Sequence, residues 1–283
     1  MAITFRRLPK GSTIGSGNYV FRHDGNEAPP DYLCFTAEQA GSTVAMAVNG
    51  TPTKGQAFEY STDGNNWSVF TPGTTTITLA NAGDKVYFRG NNITVSESSK
   101  VYYKFVMSGK IVASGNIMSL LDKTCQSTTI SNIHCYYYLF YNCTSLTTAP
   151  SLPATTLANY CYNYMFSNCT SLTTAPSLPA TTLINSCYRN MFENCTSLTT
   201  APALPATTLA SACYRSMFEN CTSLQVYSSS GTGHTKAWRI PTSGSASSYT
   251  SQTKMFYKCP GSYKTASSVN LNTTFYTQNT PVG

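Results

Sequence analysis

Along residues 31–115 the apolar positions come in short runs of β-branched and aromatic residues, each closed by a turn signal. DYLCFTAEQAGSTVAMAV, QAFEYSTDGNNWSVF, TTTITLANAGDKVYFRG and KVYYKFVMSG all read as strands. Asp63-Gly64 is a hairpin signal between FEYST and NNWSVF, and Asn81-Ala82-Gly83-Asp84 punctuates the next pair. Several such strands at roughly 8–12-residue spacing predict a small β-sandwich. Trp67, Phe70, Tyr87 and Phe88 are its core candidates.

From Cys135 the pattern changes to an internal repeat. CYYYLFYNCTSLTTAPSLPATTLANY is followed at Cys161 and Cys187 by two near-copies of 26 residues, and Cys213 begins a fourth that diverges at Gln225. Leu157, Cys161, Tyr162, Met165, Phe166 and Cys169 keep their identity between copies, with Leu139 standing for Met165 one copy earlier. Their spacing, i, i+4, i+5, i+8, i+9 and i+12, matches one stripe of an α-helix and predicts a helix from about Pro153 to Asn168. Asn159, Tyr160, Asn163, Tyr164 and Ser167 change between copies and are expected on the outward stripe. The following SLTTA, closed by Pro176, reads as a short strand, with Leu172 and Leu178 turned to the core. A period of 26 falls in the range of leucine-rich repeats, in which each unit covers the apolar face of the next.

The expected architecture is therefore multi-domain α+β. An arm (1–30) precedes an immunoglobulin-like β-sandwich (31–115) and a connector (116–134). A leucine-rich-repeat solenoid with one strand and one helix per unit (135–224) follows, and then a C-terminal cap or tip (225–283). A length of 283 residues accommodates such a series.

Composition narrows the function. Charged residues make up only 10%, against about 25% in an ordinary soluble domain, and 20 tyrosines with many Ser, Thr and Asn take their place. Such a surface suits contact with glycans or proteins. The net charge of +7 is scattered, with no basic block interleaved with aromatics, so nucleic acid is not an expected partner. MAITFRRLPKGSTIGSGNYVF lacks the apolar core of a secretory signal, and no run of roughly 18 apolar residues occurs. The expectation is a chain that is neither exported by the usual route nor inserted in a membrane.

Candidate chemistry is sparse. Residues 135–226 carry only Arg189, Glu193, Arg215 and Glu219 as charges. His23, His134 and His234 fall in different segments, and Asp63 and Asp84 sit in turn sequences that favour Asp for backbone reasons. No nucleophile elbow, phosphate loop, dinucleotide fingerprint or zinc motif occurs, so no catalytic residue, metal ligand or cofactor is expected. Of the eleven cysteines, eight form two ladders of period 26. Eight residues apart on a helix is ~12 Å, too far for a disulfide, so buried thiols are expected. The recurring Asn-Cys-Thr reads as repeat geometry, the Asn closing the helix.

Two surfaces could bind. The varied stripe offers Tyr160, Asn163, Tyr164, Asn185, Arg189, Asn190 and Arg215, residue types that make adaptable contacts, though a merely solvated helix face would look the same. Stacked strands would align Thr147, Thr173 and Thr199 into a hydroxyl row, or threonine serves there simply as a strand former.

The motif MFxNCTSL…LPATTL…CYxxMF resembles the BspA-like leucine-rich repeat, through Phe166, Cys169, Leu172 and Pro179, then Phe192, Cys195, Leu198 and Pro205. Phe218, Cys221 and Leu224 begin another unit, and Phe256 and Cys259 look like a displaced last one. With YSTDGNNW ahead of it, this wording is similar to proteins of gut Bacteroides and their phages. The resemblance implies a phage structural protein, a head or tail fibre or decoration component at the virion surface. Residues 1–30, through Arg6, Arg7 and Lys10, would meet other virion proteins. The repeats would display a face to a host-surface glycan or protein, and the chain would form a homo-oligomer, a trimer being common among fibres. The alternative it implies is an adhesin on the bacterial cell surface.

Overall fold

The computed structural model describes residues 31–92, 94–240, 243–244 and 251–278. The proposed attachment residues Arg6, Arg7 and Lys10 lie outside them. Among the described residues the chain is built of strands and turns, and the one helical segment is a 3-10 turn at Ile117–Leu120. The expected α+β class is therefore corrected to an all-β one, and no repeat contains a helix.

The strands of the first part are β1 (Leu33–Ala37), β2 (Ser42–Asn49), β3 (Phe58–Ser61), β4 (Ser68–Phe70), β5 (Thr76–Leu79), β6 (Lys85–Gly90), β7 (Tyr102–Ser108) and β8 (Ile111–Ser114). One sheet runs β4-β3-β6-β1-β8 and the other β5-β2-β7, every pair antiparallel. Alternation along β2, β6 and β7 sends Val44, Met46, Val86, Phe88, Tyr103 and Phe105 inward, where the sheets meet through edge-on rings. Phe35 lies 4.8 Å from Phe105, Phe88 5.3 Å from Phe105 and Phe58 5.6 Å from Tyr103. Phe70 and Phe88 are buried. Trp67 and Tyr87 are half-exposed instead, and Trp67 lies 3.9 Å beneath the Arg89 guanidinium. The Asp63 loop is longer than a two-residue hairpin. Its carboxylate accepts bonds from Ser61 Oγ and from the backbone N–H groups of Asn65 and Asn66, which hold it far below the usual carboxylate range.

The repeats are flat coils rather than helices, and their turn face has a period of four. His134, Tyr138 and Asn142 have positive φ, as do Tyr160, Tyr164 and Asn168; Ser186, Asn190 and Asn194; and Ala212, Ser216 and Asn220, all between 49° and 63°. Each left-handed residue redirects the chain, so the same two of every four side chains turn inward: Cys161-Tyr162, Met165-Phe166, then Cys169. An α-helix rotates about 40° with every four-residue step, so positions twelve apart drift by about 120° and leave a common face.

Hydrogen bonds follow the same alternation. Tyr136, Tyr138, Phe140 and Asn142 donate their N–H groups to Cys161, Asn163, Met165 and Ser167 of the next coil, at 2.8–3.3 Å. Tyr137, Leu139, Tyr141 and Cys143 donate to carbonyls three residues back in their own coil. From Tyr136 to Cys143 every backbone N–H is thus paired, as a buried backbone requires.

Stacking these coils builds ladders. Tyr136, Tyr162, Tyr188 and Tyr214 stack at 5.7, 5.9 and 6.0 Å, and Phe140, Phe166, Phe192, Phe218 and Phe256 at 5.2–5.6 Å. The second cysteine of each coil donates its thiol to the phenylalanine carbonyl of the coil before, from Cys143 Sγ to Phe105 O at 3.2 Å through Cys259 Sγ to Phe218 O at 2.9 Å. All eleven cysteines are free thiols.

The solenoid continues the sandwich. Strand β9 (Leu146–Thr148) pairs parallel with β8 and extends the larger sheet, and bridges Thr148–Thr174 and Thr174–Thr200 carry that edge onward. Phe105 N–H donates to Leu139 O, Ser96 N–H to Cys135 O, and the rings of Phe105 and Phe140 stack at 5.3 Å. Gly115, at φ 72°, makes the corner beside Tyr32, whose carbonyl leaves no room for a Cβ there. The intervening segment 116–134 pairs with the repeats as well, Ile130 N–H donating to Thr156 O.

At the far end residues 251–259 supply a fifth coil, whose carbonyls receive the N–H groups of Tyr214, Ser216, Phe218 and Asn220. A three-stranded sheet then closes the stack: β11 (Gln225–Tyr227), β12 (His234–Arg239) and, between them, β14 (Thr274–Gln278). Phe275 meets Phe256 at 4.7 Å and Trp238 meets Tyr214 at 5.3 Å, so both aromatic ladders end on rings. β10 (Thr208–Leu209) and β13 (Ser243–Gly244) make one further parallel pair.

Candidate binding cleft

The turn face is not uniform along the stack. Its first coils carry His134, Tyr137, Tyr138, Tyr141, Tyr160 and Tyr164, and its later ones Arg189, Glu193, Arg215, Glu219 and Lys254. Where the aromatic half meets the sandwich, a cleft of about 410 Å³ opens, lined by Ser99, His134, Tyr137, Tyr138, Tyr160, Asn163, Tyr164 and Arg189. That volume falls in the usual range for small-molecule sites.

The rings are held against each other and against the backbone. His134 stacks on Tyr160 at 4.9 Å, Tyr138 on Tyr164 at 5.0 Å, and Tyr137 meets Tyr138 edge-on at 4.4 Å. Tyr102 of β7 backs Tyr138 at 4.8 Å. His134, Tyr138, Tyr160 and Tyr164 all sit at left-handed positions, with their N–H groups bonded to the next coil. The aromatic platform is thus fixed by the main chain as well as by packing.

Burial tunes the titratable groups. It lowers the pKa of His134, which favours the neutral ring, and it raises those of Tyr138 and Tyr164, which keeps the phenols protonated. Glu193, beside the cleft, is lifted by burial, opposed by a hydrogen bond from Asn190 Nδ2 at 3.0 Å. Asn163 Oδ1 and His134 Nδ1 are buried atoms with no partner among the described residues.

Of the seven stripe residues expected from the sequence, Tyr160, Asn163, Tyr164 and Arg189 line the cleft. Asn185 supports it, its Nδ2 reaching Tyr160 Oη at 3.5 Å. Asn190 lies behind Arg189 and accepts from its Nε at 3.2 Å, and Arg215 is exposed one coil further on. The expectation that this stripe is wholly outward is corrected. Asn163 is 2% exposed, Asn190 5% and Ser167 0%, because neighbouring coils pack so closely that larger residues in the same columns roof over the small ones.

Ser99, His134, Tyr137 and Tyr138 were not anticipated. The last three stand 26 residues before Tyr160, Asn163 and Tyr164, so column alignment of the first coil carried that signal. Ser99 comes from the sandwich, and no sequence pattern tied it to the repeats.

The threonine row exists but its hydroxyls are occupied. Thr147 Oγ1 donates to Ile111 O and lies 3.0 Å from Glu38 Oε2, Thr173 Oγ1 donates to Thr147 O at 3.4 Å, and Thr199 Oγ1 to Thr173 O at 3.3 Å. A second aromatic cluster, Trp67 with Tyr32 and Arg89, is likewise self-contained: Glu59 takes Arg89 at 2.6 Å and Lys123 at 2.7 Å.

Among the described residues no group of three or more His, Cys, Asp or Glu could hold a metal ion, and no helix is long and apolar enough to cross a membrane. No family model, no curated protein and no solved structure matches this chain. The resemblance of its repeats to the BspA-like pattern therefore rests on the motifs themselves.

Proposed function

We propose that the chain is a non-enzymatic display protein of a phage particle, whose solenoid presents the tyrosine-lined cleft to a saccharide on the host surface. The observation that carries the saccharide reading is the cleft itself. Aromatic faces cover the C–H face of a sugar ring, while Asn163, Ser99, His134 and Arg189 offer hydrogen bonds to its hydroxyl edge. The rings are preset by stacking and by the backbone, so little ordering remains to oppose binding. The virion setting draws its support from the motif resemblance, and the adhesive role does not depend on it.

A glycan array probed with the full chain, followed by titration of the best hits, tests the reading. Micromolar-to-millimolar binding is expected, and Tyr164→Ala should weaken it at least about 10-fold by removing a platform ring. Tyr227→Ala, in the closing sheet far along the sequence from the cleft, should leave it unchanged. Array-wide silence, or hits indifferent to Tyr164→Ala, would defeat the reading. Mass spectrometry of purified particles tests the setting separately.

A further inference from the structure

The charges around the cleft narrow the ligand, on the footing of the saccharide reading above. Among the described residues, Arg189 is the one cationic side chain lining the cleft, and no carboxylate lines it. Its Nε edge is spent on Asn190, which in turn holds Glu193 through Nδ2. That relay fixes the guanidinium plane. Among the described residues, the Nη atoms of Arg189 make no hydrogen bond or ion pair.

The column behind it continues with exposed Arg215, and Lys104 Nζ lies 5.5 Å from the Tyr141 ring on the sandwich side, so positive charge flanks the aromatic platform at both ends. Of the nearby carboxylates, Glu193 is already bonded and its ionisation is disfavoured by burial, and Glu219, one coil further on, is paired with Lys254 at 3.6 Å. Asn163 adds a second requirement. It is 98% buried, lines the cleft, and its Oδ1 accepts from nothing among the described residues.

We infer that the cleft takes an acidic saccharide, a sugar ring bearing a carboxylate, with the carboxylate on Arg189, a hydroxyl donating to Asn163 and the ring face on the tyrosines. A quaternary ammonium would suit an aromatic cage, but Arg189 repels it. An inorganic anion would leave the rings and Asn163 unused. The two Nη donors can meet both oxygens of a carboxylate in parallel.

The test titrates the full chain with a glucuronate oligosaccharide and with its methyl ester, and with sialyllactose against lactose. At least one acid should bind at least about 10-fold tighter than its neutral counterpart, with the advantage shrinking as salt rises. Arg189→Gln should bring that pair to within about twofold by weakening the acid far more than its neutral counterpart, and Arg189→Lys should restore part of the difference. Circular dichroism and a cooperative urea transition show that each variant is folded. Equal binding of acid and neutral partner by the unaltered chain would overturn this inference and leave the saccharide reading intact. Binding of neither would overturn this inference, and would overturn the saccharide reading as well when the glycan array is also silent.

Discussion

A residue held at positive φ costs roughly 1–2 kcal/mol unless its side chain tolerates the left-handed region, as Gly does and Asn nearly does. The last such position of each repeat is Asn142, Asn168, Asn194 or Asn220. The Asn of every Asn-Cys-Thr thus stands where the backbone enters the left-handed region. Asn168→Gly should leave stability within about 0.5 kcal/mol, and Asn168→Val should cost about 1–2 kcal/mol, measured by urea unfolding. Equal losses for the two would mean that the side chain, and not φ, is what the position selects. The sequence carried this signal, since Asn is the commonest left-handed residue after Gly. It was masked because Tyr160, Tyr164, Ser186 and Ala212 occupy the other left-handed positions. Those residue types give no hint of positive φ, and inter-coil hydrogen bonds hold them there.

At the scale of one coil, the inward residues were legible and the element was not. Cys161, Met165, Phe166, Leu172 and Leu178 are buried as their recurrence demanded. Over a stretch as short as Leu157–Cys169, spacings of four and five fit a helix as well as a four-residue turn. The distinction lies in the drift of a 3.6-residue period, which accumulates to about 120° only at the end of those thirteen residues, between Leu157 and Cys169. The consequence for energetics is a core dense in protonated acids. Burial pushes Cys135 up to about 11 and Cys143 and Cys187 up to about 12, and raises Cys161, Cys169, Tyr162 and Tyr188 as well. A thiol with its folded pKa above the unfolded value of about 8.5 contributes fully below pH 8.5. It loses about 1.4 kcal/mol per pH unit as pH climbs toward its folded pKa. The urea midpoint should therefore be flat from pH 7 to 8 and fall steeply between pH 9 and 11. Cys143→Ala/Cys187→Ala should be less stable at pH 7 yet show a shallower alkaline slope. A midpoint indifferent to pH up to 10.5 would contradict protonated, enclosed ladders.

Across the whole molecule, the sandwich and the repeats share one apolar cluster and one sheet. One apolar cluster runs from Phe35 and Phe88 through Phe105 and Phe140 along the ladder to Phe256 and Phe275. The larger sheet crosses the same junction, from β8 to β9. Neither half can hide its face alone. Without the sandwich, Phe140 and the Cys143 thiol lose their covering ring and carbonyl at Phe105. Without the coils, β8 becomes an open edge and Phe105 is uncovered on one side. Coupled units of this kind unfold together when the interface term rivals the stability of each unit. Calorimetry of the full chain should then show a single transition. Phe105→Ala, a ring placed at the junction itself, should cost about 3–5 kcal/mol and lower the sandwich signal (Trp67 fluorescence) and the repeat signal (far-ultraviolet ellipticity) by the same shift in midpoint. A Trp238→Phe background keeps the fluorescence assignable to the sandwich. Two separated transitions, or a Phe105→Ala midpoint shift confined to one probe, would establish the sandwich and the solenoid as independent domains. The cleft would then lose its rigid wall, because Ser99 and Tyr102 belong to one side and Tyr138 and Tyr160 to the other.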